Sequence, residues 1–169
     1  MPSLFRLIPG LVLVGSTLLS GCSWFSSAPE IPPQQRRIEL RIVTDPWINP
    51  GASGQAQPLK LCIVELNSEG WSPPGLYQGT LCSGINTSAE VVSVTEYMLA
   101  PAEERRYFRE IPYEQDRWWA IAAEFQDMNN GKGLLTFKSA ARHNLSQVIS
   151  VEGKNLSLKA TTETKVLED

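Results

Sequence analysis

The chain has 169 residues, with 15 basic and 18 acidic side chains and a formal net charge of −3 at pH 7. That length suits one domain with a single core, and 42% hydrophobic residues are enough to fill it. The mildly acidic balance excludes the basic patch of a nucleic-acid footprint, and one histidine with three cysteines leaves no cluster of zinc ligands.

The chain opens on a leader. Arg6 precedes an apolar run from Leu11 to Leu19 and small residues before Cys22. A basic start, a short hydrophobic core and small residues at a cleavage point describe a secretory signal peptide over residues 1–21. The run is shorter than the ~20 residues a membrane-spanning helix needs. Leu19-Ser20-Gly21-Cys22 resembles the lipobox of bacterial lipoproteins, which implies lipidation of Cys22 as the first mature residue. An ordinary signal peptide with a chance cysteine is the alternative. Cleavage would leave 148 residues with a net charge of −4. Two or more acyl chains would anchor such a protein stably, where one holds it only reversibly.

Residues 22–36 read as a tether. Pro29, Pro32 and Pro33, with serines and no apolar period, favour an extended segment. At ~3.1 Å per residue, the stretch from Ser23 to Gln35 reaches roughly 40 Å at most. Trp24 and Phe25, next to the lipid, suit contact with the membrane interface.

The folded part is expected over residues 37–162, with 163–169 as a tail. Ile38-Glu39-Leu40-Arg41-Ile42 alternates strictly, as a strand with one buried face does, and is expected to stop at Asp45-Pro46. A loop to Pro58 follows. Leu59 to Leu66 is nearly continuous in apolar residues, as near the centre of a sandwich, while residues 67–88 form a long irregular connection with at most a turn of helix. Further strands are expected over Val91–Leu99, Arg105–Ile111, Trp118–Phe125, Leu134–Lys138, Gln147–Val151 and Leu156–Thr161. Trp119, Ile121, Ala123 and Phe125 share one face. Asn129-Asn130-Gly131-Lys132-Gly133 is a turn signal, and Glu152-Gly153-Lys154-Asn155 reads as a hairpin. Seven or eight short strands without a 3.6-residue period make an all-β sandwich with little helix.

Few residues carry recognisable chemistry. His143, the sole histidine, lies in a polar segment and reads as a solvated loop residue, although any Ser-His-Asp or Cys-His site would have to use it. There is no glycine-rich phosphate loop and no metal or cofactor motif. An oxidising periplasm permits a disulfide between Cys62 and Cys82, which would pin the 67–88 connection to the second strand. Two separate thiols are the alternative.

Together these residues resemble a family. A lipobox and tether lead to a strand and then to an Asn-Pro turn with glycine and proline (Asn49-Pro50-Gly51, Gly54, Pro58). Leu59-Lys60-Leu61-Cys62-Ile63-Val64-Glu65-Leu66, the turn Leu99-Ala100-Pro101-Ala102-Glu103 and the run Arg117-Trp118-Trp119-Ala120-Ile121-Ala122-Ala123-Glu124-Phe125-Gln126-Asp127 follow. The pattern looks like the TssJ (SciN/VasD) family, outer-membrane lipoproteins of the type VI secretion system. Two stretches depart from it: Gln55-Ala56-Gln57-Pro58 before the second strand, and Trp71-Ser72-Pro73-Pro74-Gly75 where the family has a helical insertion.

The resemblance implies a transthyretin-like sandwich, not an enzyme, anchored in the inner leaflet of the outer membrane and facing the periplasm. It implies binding to the periplasmic C-terminal domain of TssM, with TssL in the same complex. Ser23 agrees with that location, because such lipoproteins with aspartate there stay in the inner membrane. The family's contact loop between the first two strands corresponds here to Asp45, Pro46, Trp47, Ile48, Asn49, Pro50, Gly51, Ala52, Ser53, Gly54 and on to Gln57. Independently, an irregular loop of ~12 residues is more often functional than decorative. Trp47 and Ile48 either face solvent there or tuck into the sandwich edge. A pilotin of another envelope machine, or a periplasmic hydrolase or ligand carrier, are the other readings.

Overall fold

The computed structural model describes residues 34–128 and 131–166. Eight strands follow in order: β1 (Gln35–Ile48), β2 (Leu59–Leu66), β3 (Val91–Leu99), β4 (Glu104–Pro112), β5 (Arg117–Glu124), β6 (Leu134–Ser139), β7 (His143–Gly153) and β8 (Asn155–Lys165). They form two four-stranded sheets, ordered β4-β1-β7-β8 and β3-β2-β5-β6. A 3-10 turn, Leu76–Gln78, is the sole helical segment among the described residues. The architecture is the expected all-β sandwich with little helix. The leader, Cys22, the tether as far as Pro33, Asn129-Asn130 of the glycine turn and the last three residues lie outside the described residues.

Patterning explains which faces are buried. Ile38, Leu40 and Ile42 of β1 enter the main core, while Arg37 and Arg41 on the opposite face are exposed. β2 reads as continuously apolar because both its faces are covered. Leu59, Leu61 and Ile63 join the main core; Cys62, Val64 and Leu66 join a second cluster with Ala120 and Ala122 of β5. The 67–90 connection lies over that second cluster, contributing Leu81 and Cys82, with Trp71, Leu76 and Ile85 half-buried against it. Trp119, Ile121, Ala123 and Phe125 face the main core together, and Tyr107 meets Trp119 edge-on at 6.1 Å between ring centres. Each fully buried side chain of this size stabilises by about 1.5–3 kcal/mol.

Several boundaries differ from expectation. β1 does not stop at Asp45-Pro46 but continues to Ile48, with a register shift against β7 between Thr44 and Ile48. Pro46 falls in that irregular stretch, where no ladder donor is needed. β1 also begins earlier, at Gln35, and β8 continues to Lys165, past the expected domain end at 162. β7 starts at His143, which is therefore a half-buried strand residue rather than a loop one, its Nδ1 2.9 Å from the Ala141 carbonyl.

Strand polarity gives the sandwich two distinct ends. β1 runs parallel to β7 and antiparallel to β4, with Gln35 opposite Pro112. β2 runs antiparallel to β3 and β5, with Leu59 opposite Leu99. The connections β1–β2, β3–β4, β5–β6 and β7–β8 therefore gather at one end. The chain enters at the other end, where β8 finishes.

Candidate partner-docking site

At the loop end, residues 45–58 leave β1 and cross to the other sheet. The stretch is pinned at several points. The Trp47 amide donates to Asp45 Oδ1 at 2.9 Å, an Asx-type turn within the bulge. Asn49, in the left-handed region at φ +46°, is buried at 3% exposure and works in three directions. Its amide donates to the Gly153 carbonyl at 2.9 Å, its Nδ2 donates to the Pro58 carbonyl at 2.7 Å, and its Oδ1 accepts from the Gln126 amide at 2.7 Å. The Gln57 amide closes the base by donating to the Ile48 carbonyl at 3.1 Å. Beyond Asn49 the tip turns on two short bonds, Gly51 N–H to the Gln55 carbonyl at 3.0 Å and Gly54 N–H to the Gly51 carbonyl at 2.8 Å. Gly54 sits at φ +75°, where a side chain would be strained.

These bonds sort the expected site residues. Ile48 is fully buried in the main core, and Asn49 is buried beside it, so neither can meet a partner directly. Trp47 is 64% exposed, and Asp45, Pro46, Ala52, Ser53 and Gly54 are exposed with it. Pro50 and Gly51 are half-buried and line a shallow groove with Ala52, Gln126, Asp127 and Lys154. Lys154 and Asp127 form an ion pair across it.

The β3–β4 turn adjoins the loop. Ala102 N–H donates to the Asp45 carbonyl at 3.2 Å, and Thr44 Oγ1 donates to the Ala100 carbonyl at 2.8 Å. The Ala100 amide and the Arg105 guanidinium hold the Glu103 carboxyl below the usual carboxylate range. The arrangement presents an indole and small polar groups on a backbone fixed by hydrogen bonds. Binding to such a surface costs little ordering entropy.

Elsewhere, Cys62 and Cys82 are joined by a disulfide, with Cα atoms 5.7 Å apart. It fastens the 67–90 connection to β2, and the Cys82 amide also donates to Glu124 Oε1 at 2.8 Å. Among the described residues no group of three or more His, Cys, Asp or Glu side chains is placed to hold a metal.

Two buried charges escaped the reading of the sequence. Glu65, 1% exposed, faces into the sandwich and accepts from Arg109 Nε at 3.1 Å, Arg117 Nε at 3.0 Å and Ser93 Oγ at 3.0 Å. Arg36, assigned to the tether, is 1% exposed at the entry end. It donates to the carbonyls of His143 at 3.0 Å, Gln115 at 2.7 Å and Ser139 at 3.1 Å. Burial pulls its guanidinium below the ordinary arginine range. Strand parity carried the signal for both, since Arg36 keeps step with Ile38 and Glu65 with Ile63.

Residues 36–155 match the family described as type VI secretion lipoprotein, VasD, EvfM, TssJ, VC_A0113. The chain belongs to that family. No curated protein matches it. Among solved structures, the type VI secretion lipoprotein TssJ1 from Pseudomonas aeruginosa is similar in fold, with a TM-score of 0.60 at 22% identity, covering 80% of this chain and 100% of that one. Serratia marcescens Lip, described as a membrane-bound component of the type VI secretion system, has a TM-score of 0.60 at 14% identity, over 74% of this chain and 98% of that one. A structure described as the TssM C-terminal domain, residues 869–1107, from EAEC gives 0.54 at 15% identity, over 74% and 98%.

Proposed function

We propose that this type VI secretion lipoprotein tethers the secretion membrane complex to the outer membrane, acting as a structural anchor and not as a catalyst. Cys22 carries the acyl anchor in the inner leaflet, and the domain faces the periplasm. The loop end, through Asp45, Pro46 and Trp47 and the tip from Pro50 to Gly54, with Trp47 as its main contact, docks the periplasmic C-terminal domain of TssM, with TssL in the same assembly. One observation carries the docking reading: a large indole, 64% exposed, stands on a strand end whose neighbours Ile48 and Asn49 are locked into the core. Tryptophan is enriched among residues that dominate interface energies, commonly at ~2 kcal/mol or more.

The buried neighbours decide how to test it. Replacing the whole loop would remove Ile48 and Asn49 and confound binding with folding, whereas Trp47→Ala leaves the core intact. That variant should keep its stability within about 0.5 kcal/mol. It should bind the TssM periplasmic domain at least tenfold more weakly in calorimetry, or ~1.4 kcal/mol. Wild-type affinity in the folded variant would sink the assignment. For the anchor, Cys22→Ser should fold yet leave the membrane fraction, as fractionation would show; sedimentation with outer membranes in the absence of the partner would contradict lipidation.

A further inference from the structure

The connection over the second sheet, residues 67–90, carries an aromatic side chain that the domain itself does not use. Tyr77 is 93% exposed, more than any other large hydrophobic side chain among the described residues. Leu76, one residue earlier on the 3-10 turn, packs half-buried against the covered cluster, and the turn presents Tyr77 to solvent. The mount is firm. The Leu76 amide donates to the Pro73 carbonyl at 3.0 Å, and the Gln78 and Thr80 amides both donate to the Gly75 carbonyl at 3.1 Å. Glycine is required at 75, because a Cβ there would stand 2.1 Å from the Thr80 carbonyl oxygen. Two residues after Thr80, Cys82 is bonded to Cys62 of β2. An aromatic group held this way has little freedom left to lose on contact.

Tyr77 also stands at the loop end. Gly79 lies so close to Met128 that a Cβ on it would be 3.7 Å from the Met128 Cγ. Met128 follows Asp127, whose ion pair with Lys154 lies in the groove beside Pro50 and Ala52. One continuous surface therefore runs from the docking loop, across that groove, to the 3-10 turn. Met98 is on the same flank as the turn. It is 62% exposed and opposite Lys60, which is itself opposite Glu124, the carboxylate that holds the Cys82 amide. Of the five large hydrophobic side chains exposed among the described residues, Trp47, Tyr77 and Met98 are at this end. Phe108 sits at the middle of β4 and Leu158 three residues inside β8. Apolar residues exposed singly are ordinary on a protein surface, whereas three gathered at one end around a groove mark an interaction site.

We propose that Tyr77 is a second anchor for the partner that docks on Trp47, so that one partner straddles the loop end and touches both the docking loop and the connection over the second sheet. The proposal rests on the docking reading above. An interface of ordinary size buries ~800 Å² on each side, a patch roughly 30 Å across, wide enough to take in the groove and both its flanks. Between the anchors Lys154 and Asp127 are paired with each other, so the strip they form has no net charge. The matching partner face is therefore two apolar recesses separated by neutral polar groups.

Calorimetry of the full chain in detergent against the TssM periplasmic domain compares the parent with Tyr77→Ala, Trp47→Ala and the double variant. Tyr77→Ala should bind about fivefold more weakly or worse at an unchanged melting temperature, and Tyr77→Phe, which keeps the ring, should stay within about twofold of the parent. The anchors stand on opposite flanks of the groove, so their losses should multiply in the double variant. Parent affinity in Tyr77→Ala beside a weakened Trp47→Ala overturns this inference and leaves the docking reading standing. Parent affinity in both single variants overturns both, and weakening by Tyr77→Ala alone overturns the single surface. Photo-crosslinking supplies a readout that does not depend on affinity. Tyr77→benzoylphenylalanine should trap the partner domain, whereas Phe108→benzoylphenylalanine, on the open sheet face, should not. An adduct at 108 with none at 77 overturns the proposal.

Discussion

The outward face of the β4-β1-β7-β8 sheet is open to water, whereas the outward face of β3-β2-β5-β6 is covered by residues 67–90 over its central strands, with Glu96, Met98, Thr136 and Lys138 exposed on its edge strands. On the open face Arg37, Arg41, Arg106, Phe108 and Glu110 are exposed. Arg106 pairs there with Glu104 at 3.1 Å, and such surface pairs are worth little. On the covered face Val64, Ala120 and Ala122 are almost wholly buried against Leu81 and Cys82. The same strand geometry thus yields two sequence signatures: alternation where one face is solvated, an unbroken apolar run where both are covered. The continuous pattern of β2 reports the cover of the connection as much as its central place in the sheet.

The largest expected effect tests the cover directly. Val64→Asp places a carboxylate on the covered face with no partner, and should destabilise by about 4 kcal/mol or more in urea unfolding. Val43→Asp makes the same change on the open face, where water reaches the charge, and should cost about 1 kcal/mol. Comparable losses at the two positions would mean that residues 67–90 do not exclude water from the sheet.

A smaller effect concerns the fastening of the cover. The disulfide closes a loop with a sequence separation of 20 residues, for which the chain-entropy account gives about 3 kcal/mol. Cys62→Ala combined with Cys82→Ala should lose about that much and should speed hydrogen exchange over 67–90 while β1 and β7 stay protected. In protein from the periplasm, mass spectrometry without reductant should recover the two peptides linked. Free, alkylatable thiols there would leave hydrophobic packing as the main attachment.

How much of this was legible follows from the same contrast. The alternation of β1, the run of β2, the shared face of Trp119, Ile121, Ala123 and Phe125, and the hairpin at Glu152–Asn155 are local patterns, and reading them gave the two-sheet architecture. Pro46 misled because a proline usually ends pairing; nothing local announces that a bulge will absorb it and let the strand resume. Once the strand does resume, Trp47 and Ile48 must point to opposite faces, so the question of whether both were in or both were out had a different form from the one the loop suggested. The second half of β8, from Lys159 to Lys165, is exposed throughout and carries no alternation, so no pattern marks where the strand ends. Glu65 and Arg36 were opaque for another reason. A charge at a core-parity position announces burial only if its partners are known, and those partners lie dozens of residues away.

The smallest effect separates the two ends of the sandwich by pH. Asp116, in the β4–β5 turn at the entry end, accepts from Lys138 Nζ at 2.6 Å and from the Ala141 amide at 2.7 Å. The Lys138 bond, followed by the Ala141 bond, holds its carboxyl below the usual aspartate range. A carboxyl whose value is lowered by folding binds its proton more readily in the unfolded chain. Its contribution is therefore fully present above the unfolded value, about 4, and is lost as pH falls through the lower folded value. The side chain is 37% exposed, so solvent screening keeps the effect small, below about 1 kcal/mol. Asp116→Asn retains an acceptor for the Ala141 amide but drops the ion pair, so unfolding curves from pH 6 to 3 should show a shallower acid loss than the parent. The Glu103 carboxyl is lowered at the opposite end, and the variant should leave that share of the acid loss in place. Parallel curves for parent and variant would show that Asp116 is not what ties the β4–β5 turn to β6 in acid.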